Sequence, residues 1–224
     1  ITRMLLADIS GHGALVAQIA VNLRDLMRRN VNYIRQTRFV RAMNQQFGDL
    51  SEQDSFATAL VATFFAPTRS LTLCNAGHPA PLVFRRNASQ WKELANEAGS
   101  ARGLTDLPLG VASQTNYGQL KVNLESGDLV LCFSDAVTES LGSDGRQLGR
   151  EGVLQLVREL NLARPADVIP ALIERIESLS ADNLMLDDAT FLLCEATGGG
   201  PTLKESLLAP FRLFGPVSDR TQLA

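Results

Sequence analysis

The chain has 224 residues, of which 45% are hydrophobic, and its 21 basic and 24 acidic residues give a formal net charge of −3. A chain of this length and hydrophobicity can form one globular domain, and its acidic balance argues against a nucleic-acid partner. No apolar run approaches the roughly 20 residues needed to cross a bilayer, and no signal peptide is visible, so we expect no membrane partner in this segment.

The first part of the chain predicts a strand, two helices and then a series of strands. An apolar strand leads to Asp8, and residues 14–29 carry apolar side chains at helical spacing, which predicts an amphipathic helix directly after a glycine-rich turn. Residues 39–47 predict a second helix. The strand-like runs that follow are 56–65, 71–75, 81–84, 91–94, 119–124 and 129–133. The short polar segment 66–70 suits a hairpin connection.

The remaining sequence predicts two helices, a strand and a tail. The helices cover 151–160 and 165–179, and Pro165 stands where a first turn accepts proline, while Pro170 must share that turn or kink the helix. A last strand follows Asp188. This order predicts a layered α+β domain over residues 1–195. A glycine-rich break then begins the tail, residues 196–224. We interpret this segment as a mobile tail with a short helix that docks on the core, and a partner-binding segment is the alternative.

Acidic residues stand at the ends of three strands that lie far apart in the sequence: Asp8, Asp135 and Asp187, the last followed by Asp188. Taken singly, each is more typical of a turn or an N-cap. Together they indicate a cation site, because carboxylate oxygens suit Mg²⁺ and Mn²⁺. Two such ions promote the attack of water on a phosphate.

Two further motifs lie between these acids, Asn-Ala-Gly-His-Pro at 75–79 and Leu-Pro-Leu-Gly-Val at 107–111. In this order the five motifs resemble those of the metal-dependent serine/threonine phosphatases of the type 2C (PPM) superfamily, in particular its bacterial SpoIIE-like branch. The resemblance runs from residue 1 to about residue 195. It implies a four-layer αββα sandwich with two central, mainly antiparallel sheets flanked by helices, and with the metals at one edge.

The resemblance also implies the roles of individual residues. Asp8 would bridge two ions, Mn²⁺ or Mg²⁺, with the backbone carbonyl of Ile9 as a further ligand, and Asp135 and Asp187 would complete the set. The third motif has His78 where many members carry an aspartate that can hold a third ion, so a third site of that type is not expected. We interpret His78 as a turn residue before Pro79.

The glycine-rich turn after Asp8 holds the other candidate site residues. His12 is placed to donate a proton to the leaving serine oxygen or to bind the phosphate, although the same position also suits a residue that only shapes the turn. Gly11 and Gly13 allow the backbone to approach the phosphate, where the first N–H groups of a helix favour an anion. The alternative roles of His12 stay open at this stage.

These observations predict a protein serine/threonine phosphatase that hydrolyses phosphoserine or phosphothreonine with metal-activated water. The resemblance implies a phosphorylated protein substrate such as an anti-sigma-factor antagonist in bacterial signalling. The alternative is a catalytically weak SpoIIE-like signalling or binding module with an incomplete metal site. A metal-dependent nuclease shares the carboxylates, but the sequence lacks a basic groove signal.

The start of the chain and its cysteines give two further expectations. The chain begins with Ile1 in what reads as a core strand, so we expect at least one N-terminal strand and an acidic motif of the family to be missing. An upstream sensor domain or a homodimer contact would then act on the 14–29 helix, with a purely core-packed helix as the alternative. Cys74, Cys132 and Cys194 lie in apolar strand-like runs. We interpret them as reduced core residues of a cytoplasmic protein.

Overall fold

The computed structural model describes residues 1–11, 14–50, 55–94, 105–160, 164–185 and 187–198. Within these ranges the chain forms two four-stranded sheets, both antiparallel throughout. The larger part of the predicted tail, residues 199–224, lies outside the described residues. None of the described helices combines the length and the apolar character that a membrane crossing requires.

The first sheet contains the N-terminal strand that leads to Asp8. Its strands are β1 (Thr2–Ile9), β2 (Ala57–Phe65), β3 (Ser70–Ala76) and β6 (Leu120–Asn123), and they lie in the order β1-β2-β3-β6. The predicted hairpin connection is a single 3₁₀ turn, Ala66–Thr68, after which Arg69 adopts a left-handed conformation with a φ of 50°. The ends of β2, β3 and β6 lie within one residue of the predicted ends, because the apolar pattern of the sequence stops where each strand stops.

The second sheet contains the strand that leads to Asp135. Its strands are β4 (Leu82–Arg85), β5 (Gln90–Glu93), β7 (Leu129–Phe133) and β8 (Phe191–Glu195), and they lie in the order β5-β4-β7-β8. All five residues of β7 are buried, which agrees with their unbroken apolar sequence, because a central strand covered on both faces has no solvent side.

Helices cover the outer faces of both sheets. Helices α1 (Ala14–Asn30) and α2 (Gln36–Leu50) pack on the first sheet, and α4 (Gly149–Glu159) and α5 (Val168–Glu177) pack on the second. A third apolar cluster fills the space between the two sheets. The layers are therefore helix, sheet, sheet and helix, which confirms the predicted α+β sandwich.

Two details differ from the sequence-based expectation. A short helix, α3 (Asp135–Glu139), begins directly after β7, where only a turn was expected. The predicted helix at 165–179 starts with a 3₁₀ turn, Pro165–Asp167, so that Pro170 falls in the first turn of α5. Pro170 needs no kink there, because the first-turn N–H groups have no intrahelical partner.

Candidate active site

One edge of the sandwich brings the three predicted carboxylates into electrostatic contact. Asp8 lies near the end of β1, Asp135 is the first residue of α3, and Asp187 lies in the loop before β8. The pKa of Asp8 is raised to about 6, first by burial and then by the Asp135 carboxyl and the charge of Asp187, against the opposing hydrogen bond of the Ile9 backbone. An acid whose charge is disfavoured by two neighbouring acids in this way marks a candidate cation site.

Ser10 fixes the strand end that carries Asp8 and Ile9. Its backbone N–H donates to the Phe56 carbonyl at 2.9 Å, its hydroxyl donates to the same carbonyl at 2.9 Å, and it accepts from the Phe56 N–H at 3.0 Å. The next residue, Gly11, has a φ of +107°, which side-chain-bearing residues rarely adopt. Gly11 is exposed, whereas the predicted substrate contacts of His12 and Gly13 lie outside the described residues.

Ser134 fixes the second acidic turn in a similar way. Its hydroxyl donates to the Asp188 carbonyl at 3.2 Å and accepts from the Thr190 N–H at 3.0 Å. Its own N–H donates to the Thr190 carbonyl at 3.0 Å. These bonds join the end of β7 to the loop before β8, so they hold Asp135 and Asp187 on the same edge of the sheet.

The loop with Asp187 has a second anchor in Asn183, which is buried. The Asn183 amide donates to the carbonyls of Leu141 and Ile176, both at 2.9 Å, and its oxygen accepts from the Leu141 N–H at 2.7 Å. Asp187 itself is exposed, and its Oδ1 accepts from the Asp188 N–H at 2.8 Å. The carboxylate of Asp187 is therefore accessible while the base of its loop is fixed.

A cleft of about 530 Å³ adjoins Asp135. Its polar lining is formed by Asn75, His78, Asp106, Asp135, Thr138 and Arg150. His78 is only 5% exposed, and its Nδ1 lies 2.8 Å from the Thr58 hydroxyl. Burial lowers the pKa of His78 to about 4, although the Asp135 charge and the Phe133 carbonyl oppose that shift. The ring is therefore neutral at physiological pH.

The two motifs between the acids contact each other. Gly77 has a φ of +72°, and a Cβ there would lie 2.5 Å from Cγ of Pro108. Leu109 forms a backbone bridge with Ala57 at the start of β2. The side chain of Asn75 accepts from the His78 N–H and donates to the His78 carbonyl, which fixes this turn. The first motif therefore lines the cleft, the second packs against it through Pro108, and the close contact at Gly77 requires a glycine.

The donor atoms at this edge fit a hard cation. Carboxylate oxygens are the ligands that Mg²⁺ and Mn²⁺ prefer, and the carboxyl groups of Asp135 and Asp187 both act on the pKa of Asp8. These carboxylates are not yet arranged around a common ion position, because the described residues contain no group of three or more His, Cys, Asp or Glu side chains that could hold a metal ion. The acids fit in type and position, but they do not form a preorganised cage.

The sequence proposed Asp8, Asp135 and Asp187 as candidate ligands, but the residues that hold them were not predicted. Ser10, Ser134 and Thr58 were missed, and His78 was interpreted only as a turn residue. Serine next to each acidic turn, in Asp-Ile-Ser and Ser-Asp, was a signal that could have found the first two. Short hydroxyl side chains beside a strand end commonly bond the neighbouring backbone. The Thr58–His78 contact had no signal in the sequence, because it depends on the register of β2.

Comparison with known proteins identifies the family. The model of the family described as stage II sporulation protein E (SpoIIE) matches residues 2–197, and the chain belongs to this family. Phosphoserine phosphatase RsbU of Bacillus subtilis (strain 168) is 25% identical over 138 residues, which are 62% of this chain and 38% of RsbU. The chain thus spans less than two-fifths of the length of that relative.

Solved structures share the fold. The structure of the RsbU and RsbW domains of Rv1364c from Mycobacterium tuberculosis has a TM-score of 0.67 at 22% identity, covering 94% of this chain and 60% of that one. RsbX in complex with magnesium has a TM-score of 0.55 at 14% identity, covering 85% of this chain and 79% of that one. At such low sequence identities, the likeness to the two structures supports the fold alone.

Proposed function

We propose that this chain is a metal-dependent protein serine/threonine phosphatase that hydrolyses phosphoserine or phosphothreonine. The observation that carries the proposal is the meeting of Asp8, Asp135 and Asp187 at one edge of a SpoIIE-family sandwich. The name of RsbU, a phosphoserine phosphatase, supports the same reaction. The acids come from three segments that are distant in the sequence, so their carboxylate oxygens can approach one divalent-cation site from different directions.

In this proposal Asp8, the Ile9 carbonyl, Asp135 and Asp187 hold two Mn²⁺ or Mg²⁺ ions. The magnesium complex of RsbX supports a divalent cation of this type. When bound, the ions supply Lewis-acid polarisation of the phosphate and a lowered pKa for water. The chain's own residues orient these donors: Ser10 holds the Asp8 strand end, and Ser134 holds Asp135 beside the Asp187 loop.

The residues of the glycine-rich turn are assigned to the substrate. We place the phosphate against the backbone of Gly11 and Gly13, and we assign His12 the proton for the leaving serine oxygen. The left-handed φ of Gly11 supports the first part, because a glycine lets the backbone approach a ligand closely. The roles of His12 and Gly13 stay predictions from the sequence.

The substrate in this proposal is a phosphorylated protein, and an anti-sigma-factor antagonist is the specific choice. It is supported by the RsbU relative and by the solved structure that carries RsbU and RsbW domains. A cytoplasmic location follows from such a partner. It agrees with the cysteines Cys74, Cys132 and Cys194, which are all free thiols.

One observation favours the second candidate, a catalytically weak SpoIIE-like signalling module. The described residues lack a ready group of three ligands, as a module with an incomplete metal site would. Steady-state hydrolysis of a phosphoserine peptide, with Mn²⁺ or Mg²⁺ titrated, distinguishes the two. The phosphatase predicts turnover that depends on the metal and is abolished in Asp135→Asn. If the unaltered chain and Asp135→Asn show the same hydrolysis, and Mn²⁺ does not change it, the function is that of the signalling module.

A further inference from the structure

Two buried polar atoms on the wall of the cleft make no hydrogen bond within the described part of the chain. They are Nε2 of His78 and Oδ1 of Asp135, and both residues line the same cleft. A buried polar atom without a partner costs about 1–3 kcal/mol, so each such atom calls for an explanation. Because both residues line the same cleft, one explanation can cover both atoms.

The imidazole of His78 is held through its other nitrogen, and its backbone is held as well. Its Nδ1 lies 2.8 Å from the hydroxyl of Thr58, and its backbone is clamped by the side chain of Asn75 at 2.8 and 2.7 Å. Thr58 pairs directly with Asp8 across β1 and β2. The ring is thus attached to the strand pair that carries Asp8, while it lines the cleft beside Asp135.

The chemistry of the two unpaired atoms is complementary. An ionised carboxylate only accepts hydrogen bonds, and a neutral imidazole donates from one nitrogen and accepts at the other. The groups that raise the pKa of His78, the Asp135 charge and the Phe133 carbonyl, are both acceptors. If the Thr58 hydroxyl donates to Nδ1, the proton of the neutral ring is on Nε2, which can then donate to an acceptor.

We propose that His78 is a positioning residue for Asp135, with Nε2–H of His78 linked to Oδ1 of Asp135 through one water molecule in the cleft. This inference rests on the proposed function. A water-mediated hydrogen bond is nearly as favourable in enthalpy as a direct one, and one bridging water satisfies both buried atoms. It fixes one carboxylate oxygen, so that the other keeps a constant direction towards the cation.

The consequence is measurable in metal affinity. Hydrogen-bonding partners of a ligand typically change metal affinity by about 10–100-fold when they are removed. His78→Phe keeps a planar ring but has no donor, so it should weaken Mn²⁺ binding by about tenfold or more. His78→Gln offers an amide N–H near the position of Nε2, and it should recover part of that loss.

Thr58 provides a matched pair of variants. Thr58→Val removes the hydroxyl that orients the ring, and it should weaken Mn²⁺ binding in the same direction as His78→Phe. Thr63→Val is the control, because Thr63 lies on the same strand and its hydroxyl bonds Arg3 at 3.0 Å, away from the cleft. Thr63→Val should leave Mn²⁺ affinity unchanged. Circular dichroism confirms that each variant is folded before titration.

The tautomer of His78 gives a readout that does not need metal or activity. The sequence has only two histidines, so His78→Phe identifies the His78 signals in a ¹⁵N-histidine spectrum. We expect the neutral Nε2–H form, with a Nε2 shift that changes in Asp135→Asn. An Nδ1–H form, or a Nε2 signal that ignores Asp135→Asn, overturns the inference.

The two proposals fail in different ways. If the unaltered chain binds no Mn²⁺, the proposed function is wrong, and the spectrum alone then decides the role of His78. If the chain binds Mn²⁺ and His78→Phe binds it equally well, the phosphatase proposal stands and the positioning role is wrong. Weaker binding in His78→Phe and Thr58→Val, with recovery in His78→Gln, supports the positioning role.

Discussion

The hydroxyl of Ser134 accepts a hydrogen bond from the Thr190 N–H at 3.0 Å and donates one to the Asp188 carbonyl at 3.2 Å. One side chain therefore joins the end of β7 to the loop before β8. Ser10 makes the equivalent double contact with Phe56 at the end of β1. The strand ends that carry Asp8 and Asp135 are therefore each held by one serine, and Ser134 also holds the loop that carries Asp187.

Ser134→Ala should reduce both stability and metal binding. The change removes the two hydrogen bonds that the buried Ser134 hydroxyl makes to Thr190 and Asp188, and each such bond contributes about 0.5–1.5 kcal/mol to the unfolding free energy. Mn²⁺ affinity should also fall, because the Asp187 loop is released from Asp135. Urea unfolding and Mn²⁺ titration measure the two effects. Ser113→Ala, at an exposed position, is the control, and equal results for the two variants would contradict the role of Ser134.

Replacing each acid separately tests the proposed cation site. Asp8→Asn, Asp135→Asn and Asp187→Asn should each reduce metal-dependent hydrolysis of a phosphoserine peptide by about 100-fold or more, because each removes a charged ligand. Asp188→Asn is the matched control, since its carboxylate is adjacent in sequence but is not a proposed ligand. Full activity in all three variants would refute the assignment of these acids.

Asp8→Asn should not lower the stability of the metal-free domain. Asp8 has a raised pKa because burial and two nearby acids disfavour its charge. Removing that charge relieves repulsion, so metal-free Asp8→Asn should unfold at an equal or higher urea concentration than the unaltered chain. Strong destabilisation of the metal-free variant would indicate a structural role for Asp8.

Asp128 should contribute stability that is lost in acid. It is 1% exposed, and Oδ2 accepts from the Arg85 guanidinium at 2.7 Å. Burial alone would raise the pKa of Asp128, but N–H groups of Glu125 and Arg86 and the Arg85 charge hold the pKa below its ordinary value of 3.8. A lowered folded pKa means that the stabilisation is complete above pH 3.8 and disappears as the pH falls through the folded value.

Asp128→Asn should therefore lower the unfolding free energy by about 2 kcal/mol at pH 7. The difference from the unaltered chain should shrink as the pH falls below 3.8 and through the lowered pKa of Asp128, where the carboxylate takes up a proton. Urea unfolding across this pH range measures it. Glu159→Gln is the control, because its ion pair with Arg175 at 3.7 Å is about half exposed and contributes little. A difference that stays constant with pH would contradict the assignment to Asp128 ionisation.

Gly77→Ala should destabilise the domain more than Gly145→Ala. Both glycines have similar left-handed φ values, +72° and +74°, but a Cβ at Gly77 would lie 2.5 Å from Cγ of Pro108, whereas a Cβ at Gly145 would meet open space. The backbone cost of about 1 kcal/mol is common to both variants, so their difference isolates the clash. Thermal unfolding measures it. Equal destabilisation would show that the contact with Pro108 relaxes freely.

Much of the fold could be predicted from the sequence, because local patterns specify most of its elements. Alternating apolar residues marked the strands, and the helical spacing of apolar residues marked α1, α4 and α5. The short helix α3 was missed, since five residues carry too little periodicity to separate a helical turn from a loop. Gln36 was placed outside α2, and its buried amide bonds the carbonyls of Val61 and Thr72 on neighbouring strands. Contacts of that kind override local patterns.

The sequence by itself determined the two-sheet architecture and the family, and it proposed the acids of the candidate site, because strand periodicity and the order of short motifs are local properties of the chain. Only the tertiary structure decided which side chains hold those acids. His78 follows a glycine in a turn motif, but the antiparallel register that pairs Asp8 with Thr58 places it against the Thr58 hydroxyl and beside Asp135. The physical reason is that burial and hydrogen-bond pairing arise from segments distant in sequence, and no local pattern records their distance in space.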